Sequence, residues 1–136
     1  RYHGYLAFLK EHNLEPKVFN IHSISRSTTL KNIDIRRILE NETLDGVFCT
    51  DDLTAILVYN QCQELGVSVP ETLKIIGYDG TDFVQNYFPQ LSTIVQPMND
   101  YAEIIVDLLL QRIKNKEKQL DSQYLLPVKV HQGKTS

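Results

Sequence analysis

The carboxylate of Asp79 is the side chain in this sequence that is best placed to hold a ligand. It ends an apolar run that starts at Leu73, and Gly77 and Gly80 lie on either side of it. Such a run, preceded by Pro70, predicts a buried strand that stops at Asp79. Because open α/β sheets bind ligands just beyond the carboxyl ends of their strands, we predict that Asp79 contacts a ligand. The alternative is an aspartate that only forms the turn before Gly80.

Helical patterns and short apolar runs alternate along the chain, and they define the elements that must position Asp79. The spacing of apolar residues predicts helices at residues 1–13, 30–41, 53–65 and 101–113, and compact apolar runs predict strands at residues 18–21, 47–49, 73–79, 91–96 and 124–130. A loop is expected at residues 83–89, and Pro127 places the last strand at an edge of the sheet. The alternation predicts an α/β fold with a mostly parallel sheet and helices on both faces.

Local signals indicate where the longer helices begin and end. Either Asp51 or Asp52 caps the helix that follows it, since a carboxylate accepts from free N–H groups there, and Gly66 closes that helix. Asn99 or Asp100 is expected to cap the last helix. The last helix carries a dense apolar stripe formed by Tyr101, Ile104, Ile105, Leu108, Leu109 and Ile113. Burying such side chains is worth roughly 1.5–3 kcal/mol each, so this helix is expected to find a partner surface.

The composition excludes several classes of protein. The 136 residues are 42% hydrophobic and 23% charged, which is typical of a globular domain with its own core. The net charge is −3, so this sequence lacks the excess of basic residues that is typical of a nucleic-acid-binding domain. Cys49 and Cys62 lie in apolar segments, which indicates buried thiols in a reducing compartment. With no signal peptide and no apolar run near the roughly 20 residues that span a bilayer, we predict a cytoplasmic location without membrane contact.

The sequence contains no visible catalytic machinery. The histidines His3, His12, His22 and His131 lie in separate segments without an HExxH or comparable ligand spacing, and the cysteines form no CxxC pair. Neither a Gly-x-Ser-x-Gly elbow nor a glycine-rich phosphate loop occurs. We therefore predict no metal site, no cofactor and no catalytic residue, and we expect that the chain is not an enzyme.

Several of these segments together resemble one known family. They are Asp51 with the helix that follows it, the segment Gly-Val-Ser-Val-Pro-Glu-Thr-Leu-Lys-Ile-Ile-Gly-Tyr-Asp ending at Asp79, and the segment Pro-Gln-Leu-Ser-Thr-Ile-Val-Gln-Pro ending at Pro97 with the helix after it. The opening Arg1-x-x-Gly4-Tyr5 fits the same pattern. In order and spacing, nearly the whole chain resembles the effector-binding domain of the lactose repressor/purine repressor family of bacterial transcription regulators.

The resemblance implies a fold of two Rossmann-like lobes that close on a small molecule, usually a sugar. Residues 1 to about 94 and 123–136 would form the C-terminal lobe, residues 95–97 a crossover between lobes, and residues 98 to about 118 a helix belonging to the N-terminal lobe. The DNA-binding domain, the hinge, most of the N-terminal lobe and the first strand of the C-terminal lobe would then lie upstream. On this interpretation the sequence is a fragment, and its last apolar helix lacks its usual packing surface. We expect such a fragment to associate with itself.

The resemblance also assigns the candidate effector-binding residues, which are Asp79, Arg1, Gln96 and Thr50. Asp79 corresponds to the family aspartate that accepts hydrogen bonds from effector hydroxyls, and a carboxylate with about four lone-pair sites suits a polyol. Arg1 corresponds to an arginine whose fork grips oxygens, although a plain surface charge is the alternative. Gln96 lies at a crossover position that often reaches the effector, or else satisfies backbone groups. Thr50 replaces the asparagine that relatives often carry, with a shorter side chain.

Three functions compete at this stage. The first is the sensor of a sugar or sugar phosphate in a homodimeric repressor, which contacts operator DNA only through the missing N-terminal domain. The helix at residues 53–65 and the segment 83–88 are the expected interface pieces. The second is an extracytoplasmic sugar-binding protein of a transport system, since the two classes share this lobe architecture. The third is an α/β enzyme, which the sequence supports least because no nucleophile, acid–base pair or cofactor loop is visible.

Overall fold

The computed structural model of the chain describes residues 1–21, 28–115 and 123–136. Its helices and strands, in chain order, are α1 (Tyr2–Glu11), α2 (Thr28–Asn41), β1 (Gly46–Phe48), α3 (Asp52–Leu65), β2 (Lys74–Asp79), α4 (Asp82–Tyr87), β3 (Ser92–Val95), α5 (Met98–Lys114) and β4 (Lys129–His131). The strands form one sheet in the order β1-β2-β3-β4. The first three strands are parallel and β4 is antiparallel, so the predicted α/β class with a mostly parallel sheet is confirmed.

The core lies between the sheet and helix α3. Successive side chains of a strand point to opposite faces, so Ile75 and Gly77 of β2 face the same side. Ile75 is fully buried there, in a cluster with Ala55 and Cys62 of α3. Helix α2 packs on α3 and adds Ile35 to the same cluster. This packing fixes α3 against β2 and so places the start of the helix beside the end of the strand.

The structure decides between the two predicted caps of α3. Asp51 is the N-cap, and its carboxylate oxygen Oδ1 accepts from the backbone N–H of Thr54 at 2.8 Å. Asp52 is the first residue of the helix and is 2% exposed, so its carboxylate is free for another role. Gly66 ends the helix with a φ of 72°, a left-handed conformation that favours glycine. The predicted closing residue of this helix is therefore confirmed.

The strand predicted at residues 18–21 does not form, so that prediction was wrong. The strand predicted at residues 124–130 was wrong for residues 124–128, which are not in a strand. The backbone N–H and C=O groups of a strand must pair with a neighbouring strand. In the described sheet β1 is an edge strand that pairs with β2 alone, so residues 18–21 do not extend the sheet beside it. Without pairing, Val18 and Phe19 remain exposed. The predicted edge position of the last strand is confirmed, although β4 starts only at Lys129, after Pro127.

Two further expectations were wrong at helix starts. The loop predicted at residues 83–89 is largely helical, since α4 covers Asp82–Tyr87, and the Thr81 hydroxyl caps it by accepting from the backbone N–H of Val84 at 3.4 Å. Neither Asn99 nor Asp100 caps α5, which begins at Met98 directly after Pro97. The N-cap position is held by Pro97, whose side chain has no polar atom, so this helix starts without a side-chain cap.

Helix α5 keeps much of its apolar surface in contact with solvent. None of its residues is buried, and Ile105, Leu109 and Ile113 of the predicted stripe are 62%, 58% and 64% exposed. Residues 116–118, which the sequence assigned to the same helical segment, lie outside the described residues. In the part of the chain that the structure describes, no helix has both the length and the apolar character that a membrane span requires.

Candidate functional site

Asp79 lies at the carboxyl end of β2, where the chain makes a sharp bend. Its φ is 121° and that of Gly80 is 60°. A positive φ is unusual for a residue with a side chain and persists only when the surroundings enforce it. At Gly80 a Cβ would lie 2.6 Å from Val95 on the neighbouring strand, so only glycine allows this close approach.

Gln96 follows the end of β3 and holds Asp79 by two hydrogen bonds. Its side-chain Nε2 donates to Oδ1 of Asp79 at 2.7 Å, and its backbone N–H donates to the carbonyl oxygen of Asp79 at 3.2 Å. Since β2 and β3 are parallel neighbours, both residues lie at the same carboxyl edge. The amide therefore orients the carboxylate before any ligand is present.

Arg1 completes the cluster from the start of α1. Its Nη2 lies 3.5 Å from Oδ1 of Asp79, and its Nη1 donates to the backbone carbonyl oxygen of Thr50 at 2.6 Å. The guanidinium carbon is 4.1 Å from the centre of the Tyr78 ring, a cation–π geometry. Both charged side chains are about one third or more exposed, with values of 42% for Arg1 and 34% for Asp79. The ion pair therefore contributes little stability, and both groups remain open to a ligand.

The structure brings all four predicted residues together, but in unequal ways. Thr50 meets Arg1 through its backbone carbonyl, whereas its hydroxyl donates to Oδ2 of Asp51 at 3.1 Å. A direct side-chain contact between Thr50 and a ligand has no support in this geometry. The other three side chains form one polar cluster of a carboxylate, an amide and a guanidinium. Such a group accepts from and donates to hydroxyls in several directions, as a polyol requires.

One polar residue at this edge was missed by the sequence reading. Oδ2 of Asp52 accepts from the backbone N–H of Gly80 at 2.8 Å, and Oδ1 accepts from the hydroxyl of Thr93, which is fully buried. Burial raises the pKa of the Asp52 carboxyl, while the hydrogen bonds from Thr93 and Gly80 act in the opposite direction. The available signal was the Asp51-Asp52 pair, because one helix start needs only one capping carboxylate.

Two histidines of the described residues make their contacts elsewhere. His12 lies near Phe8, with 2.9 Å between Nδ1 and the carbonyl oxygen, and His131 lies near Pro89, with 3.1 Å between Nε2 and that carbonyl oxygen. His22 lies outside the described residues. Among residues 1–21, 28–115 and 123–136, no three histidine, cysteine or acidic side chains are arranged to hold a metal ion. The groups that meet at the carboxyl edge, a carboxylate, an amide and a guanidinium, offer hydrogen bonds and charge.

Comparison with known proteins finds relatives over the whole length of the chain. A family model described as a periplasmic binding protein-like domain matches residues 1–136. The chain is 44% identical over 130 residues to the sucrose operon repressor of Lactococcus lactis subsp. lactis, covering 96% of this chain and 39% of that protein. It is 41% identical over 136 residues to the sucrose operon repressor of Pediococcus pentosaceus, covering 100% of this chain and 41% of that protein.

A solved structure shares the fold over nearly the whole chain. It is a periplasmic binding protein/LacI transcriptional regulator from Alkaliphilus metalliredigens QYMF complexed with D-xylulofuranose. The TM-score is 0.81 at 29% identity, with 99% of this chain and 50% of that chain covered. The present chain thus spans about two fifths of the two repressors and half of the structural relative.

Proposed function

Since the chain belongs to the periplasmic binding protein-like domains of the LacI family, we propose that it is the sugar-sensing part of a DNA-binding transcriptional repressor. The observation that carries this proposal is the meeting of Asp79, Gln96 and Arg1 at the carboxyl edge of the sheet. Parallel sheets bind ligands at that edge. The similarity to two sucrose operon repressors supports a repressor over a transport protein. We expect a soluble cytoplasmic protein without catalytic activity.

The effector is a sugar or sugar phosphate, and the polar cluster is its proposed binding surface. Asp79 accepts hydrogen bonds from sugar hydroxyls, while Arg1 donates to ring or hydroxyl oxygens and gives up its 3.5 Å contact with Asp79. Gln96 keeps the carboxylate oriented and donates to the ligand with its second amide hydrogen. Thr50 contributes to the binding surface through its backbone carbonyl oxygen, which accepts a hydrogen bond from Arg1 and so positions the guanidinium.

The mechanism follows from the division of the chain into lobes. We assign residues 1–94 and 123–136 to one lobe and the helix within residues 98–118 to a second lobe, with residues 95–97 as a crossover. Gln96 lies in that crossover, so a ligand that rearranges the cluster acts directly on the connection between lobes. A ligand that binds one lobe arrangement more tightly shifts the equilibrium toward it and so changes operator affinity. Operator DNA is contacted by a domain outside this chain.

A homodimer completes the proposal, and two exposed apolar features support the surface assigned to it. Leu53, at the start of α3, is 65% exposed, and Phe83 and Tyr87 of α4 are 63% and 75% exposed. The two aromatic rings contact each other at a tilt of 34°, with centroids 4.8 Å apart. Replacing Tyr87 by Lys in the whole repressor should raise the dimer dissociation constant, measured by analytical ultracentrifugation. Replacing the exposed Thr43, between α2 and β1, by Lys adds the same charge outside both expected interface pieces and serves as the control.

The sensing role is tested with the full-length protein that carries this chain. We propose calorimetric titration with sucrose, sucrose phosphate, ribose and D-xylulose, followed by operator binding with and without each sugar. At least one sugar should bind and change operator affinity by about 5–150-fold, the usual range of allosteric coupling. A protein that binds operator with an affinity unchanged by all of these sugars would contradict the proposal.

A further inference from the structure

The carboxyl group of Asp52 is buried beside the site, and none of the proposed ligand contacts uses it. It is 2% exposed and sits behind the polar cluster at the start of α3. Its donors include the backbone N–H of Gly80 at 2.8 Å and the hydroxyl of Thr93, and the backbone of Thr81 also stabilises it. A buried carboxylate costs free energy unless its donors are held in good geometry. Asp52 therefore restrains the groups that donate to it.

The donor at Gly80 belongs to the peptide bond that joins it to Asp79. The direction of that N–H sets the ψ angle of Asp79, while the neighbouring carbonyl of Gly80 accepts from Nε2 of Gln85 at 2.6 Å. Asp79 has the unfavourable φ of 121°. Such a conformation persists where surrounding contacts over-determine it. The bond from Gly80 to Asp52 is the buried member of these contacts.

Gly77 makes room for this arrangement. A Cβ at Gly77 would overlap the carboxylate oxygen Oδ1 of Asp52, so the strand passes the helix start at a distance that only glycine permits. Thr93 of β3 closes the far side of the carboxylate and is itself fully buried. One side chain of α3 is thus fixed to both β2 and β3 at the edge where Asp79 and Gln96 meet.

We propose that Asp52 is a positioning residue of the effector site, which holds the peptide between Asp79 and Gly80 so that the Asp79 carboxylate faces Gln96. Its role as part of an effector site rests on the proposed function. Its effect on Asp79 is a property of the unliganded protein and is testable without a sugar. Asp52 itself touches no ligand, because Gly80 and Thr93 cover its oxygens.

The proposal depends on hydrogen-bond geometry rather than on charge, and Asp52→Asn separates the two. An amide of the same shape accepts from Gly80 with its oxygen and donates to the hydroxyl oxygen of Thr93, since a hydroxyl both donates and accepts. Asp52→Ala removes both bonds. Thr135→Val is the matched control for general loss of stability, because the Thr135 hydroxyl is also buried and joins β2 to β3 through Ile75 and Ser92, away from the site.

The experiment is amide hydrogen exchange of the full-length protein at Gln96, whose backbone N–H is bonded to the Asp79 carbonyl. Asp52→Ala should speed this exchange by about tenfold or more, whereas Asp52→Asn and Thr135→Val should leave it within about twofold. Where Asp52→Ala does not fold, Thr93→Val replaces it, and a smaller but clear increase is expected. Unchanged exchange in the alanine or valine variant overturns the proposal, as does an equal increase in Asp52→Asn or Thr135→Val.

Sucrose binding gives a second readout on the same variants. Asp52→Ala should weaken sucrose binding by about tenfold, and Asp52→Asn should restore it to within about twofold. If sucrose does not bind the unaltered protein, sucrose is not the effector. The hydrogen-exchange measurement then still decides the role of Asp52. Sucrose binding that Asp52→Ala leaves unchanged overturns the positioning role.

Discussion

The side-chain amide of Gln96 donates to the Asp79 carboxylate at 2.7 Å while its backbone N–H donates to the Asp79 carbonyl at 3.2 Å. Two parallel strands thus deliver one residue each to the same edge, and the pair is joined twice. The double connection makes the carboxylate a prepared acceptor, since its direction is set before a ligand arrives. It also links the carboxylate to the segment that leads into α5.

Asp79→Asn should abolish the response of the whole repressor to its sugar while operator binding stays intact. Hydrogen bonds to a charged group contribute about 1.5–3 kcal/mol each, so sugar affinity should fall by about tenfold or more. Asparagine has nearly the same shape as aspartate, so the substitution changes charge and hydrogen bonding more than packing. Calorimetry and operator release measure the two effects, with Asp45→Asn at an exposed turn as the control. An undiminished sugar response would remove Asp79 from the site.

Gly77→Ala should destabilise the chain by about 1–3 kcal/mol, because the added methyl group overlaps the Asp52 carboxylate. The same substitution in an Asp52→Ala background should cost much less, since the space is then empty. Denaturant unfolding of the four proteins gives the coupling energy between the two positions. Equal costs in both backgrounds would show that Gly77 is required for another reason.

The stability of the chain should fall as the pH rises above about 9. Burial, followed by the charges of Asp51 and Asp52, raises the pKa of the Cys49 thiol from 9.0 to about 12. The neutral thiol is favoured in the folded state, so its contribution is complete below about pH 9 and is lost as the pH approaches 12. The expected slope is about 1.4 kcal/mol per pH unit. Unfolding free energies at several pH values measure it.

Cys49→Ala is the control for that slope. Alkaline loss of stability also comes from other groups, so the test is the difference between the two proteins. Cys62 keeps its own raised pKa in both, again because it is buried. The variant should lose less stability between about pH 9 and 11 than the unaltered chain. Parallel curves would mean that the Cys49 thiol does not titrate in this way.

The 136-residue chain on its own should self-associate through the exposed apolar face of α5. Leu109 is 58% exposed near the centre of that face, and each such side chain is worth roughly 1.5–3 kcal/mol when buried. Leu109→Glu should therefore weaken association strongly, as measured by light scattering over a range of concentrations. Gln111→Glu adds the same charge to the same helix outside the apolar face. A chain that stays monomeric at all concentrations would contradict the prediction.

Much of the fold was determined by local sequence signals. The apolar runs around Val47 and Ile75 and the glycine at position 66 predicted strands and a helix end that the structure contains. These signals succeed because turn and burial preferences act over a few neighbouring residues. The same reasoning picked Asp79 from its strand-end position, and the family resemblance added Arg1, Gln96 and Thr50, which the structure brings to one edge.

The sequence-based predictions failed for two reasons. In one case the deciding interaction was local but weak, and in the other it depended on residues far away in the sequence. Residues 18–21 have strand-like composition, yet a strand exists only where a neighbouring strand pairs with it. A helix capped by Thr81 forms in the segment that was predicted as a loop. The spacing of apolar residues alone predicts neither the missing strand nor the short helix.

The sequence by itself determined the fold class, the order of most elements and the carboxylate at the end of β2. Only the tertiary structure decided which of two adjacent aspartates caps α3 and which one turns inward to Gly80 and Thr93. Those partners lie 28 and 41 residues away along the chain. Capping is read from neighbours in sequence, whereas the satisfaction of a buried carboxylate depends on strands that meet only after the chain has folded.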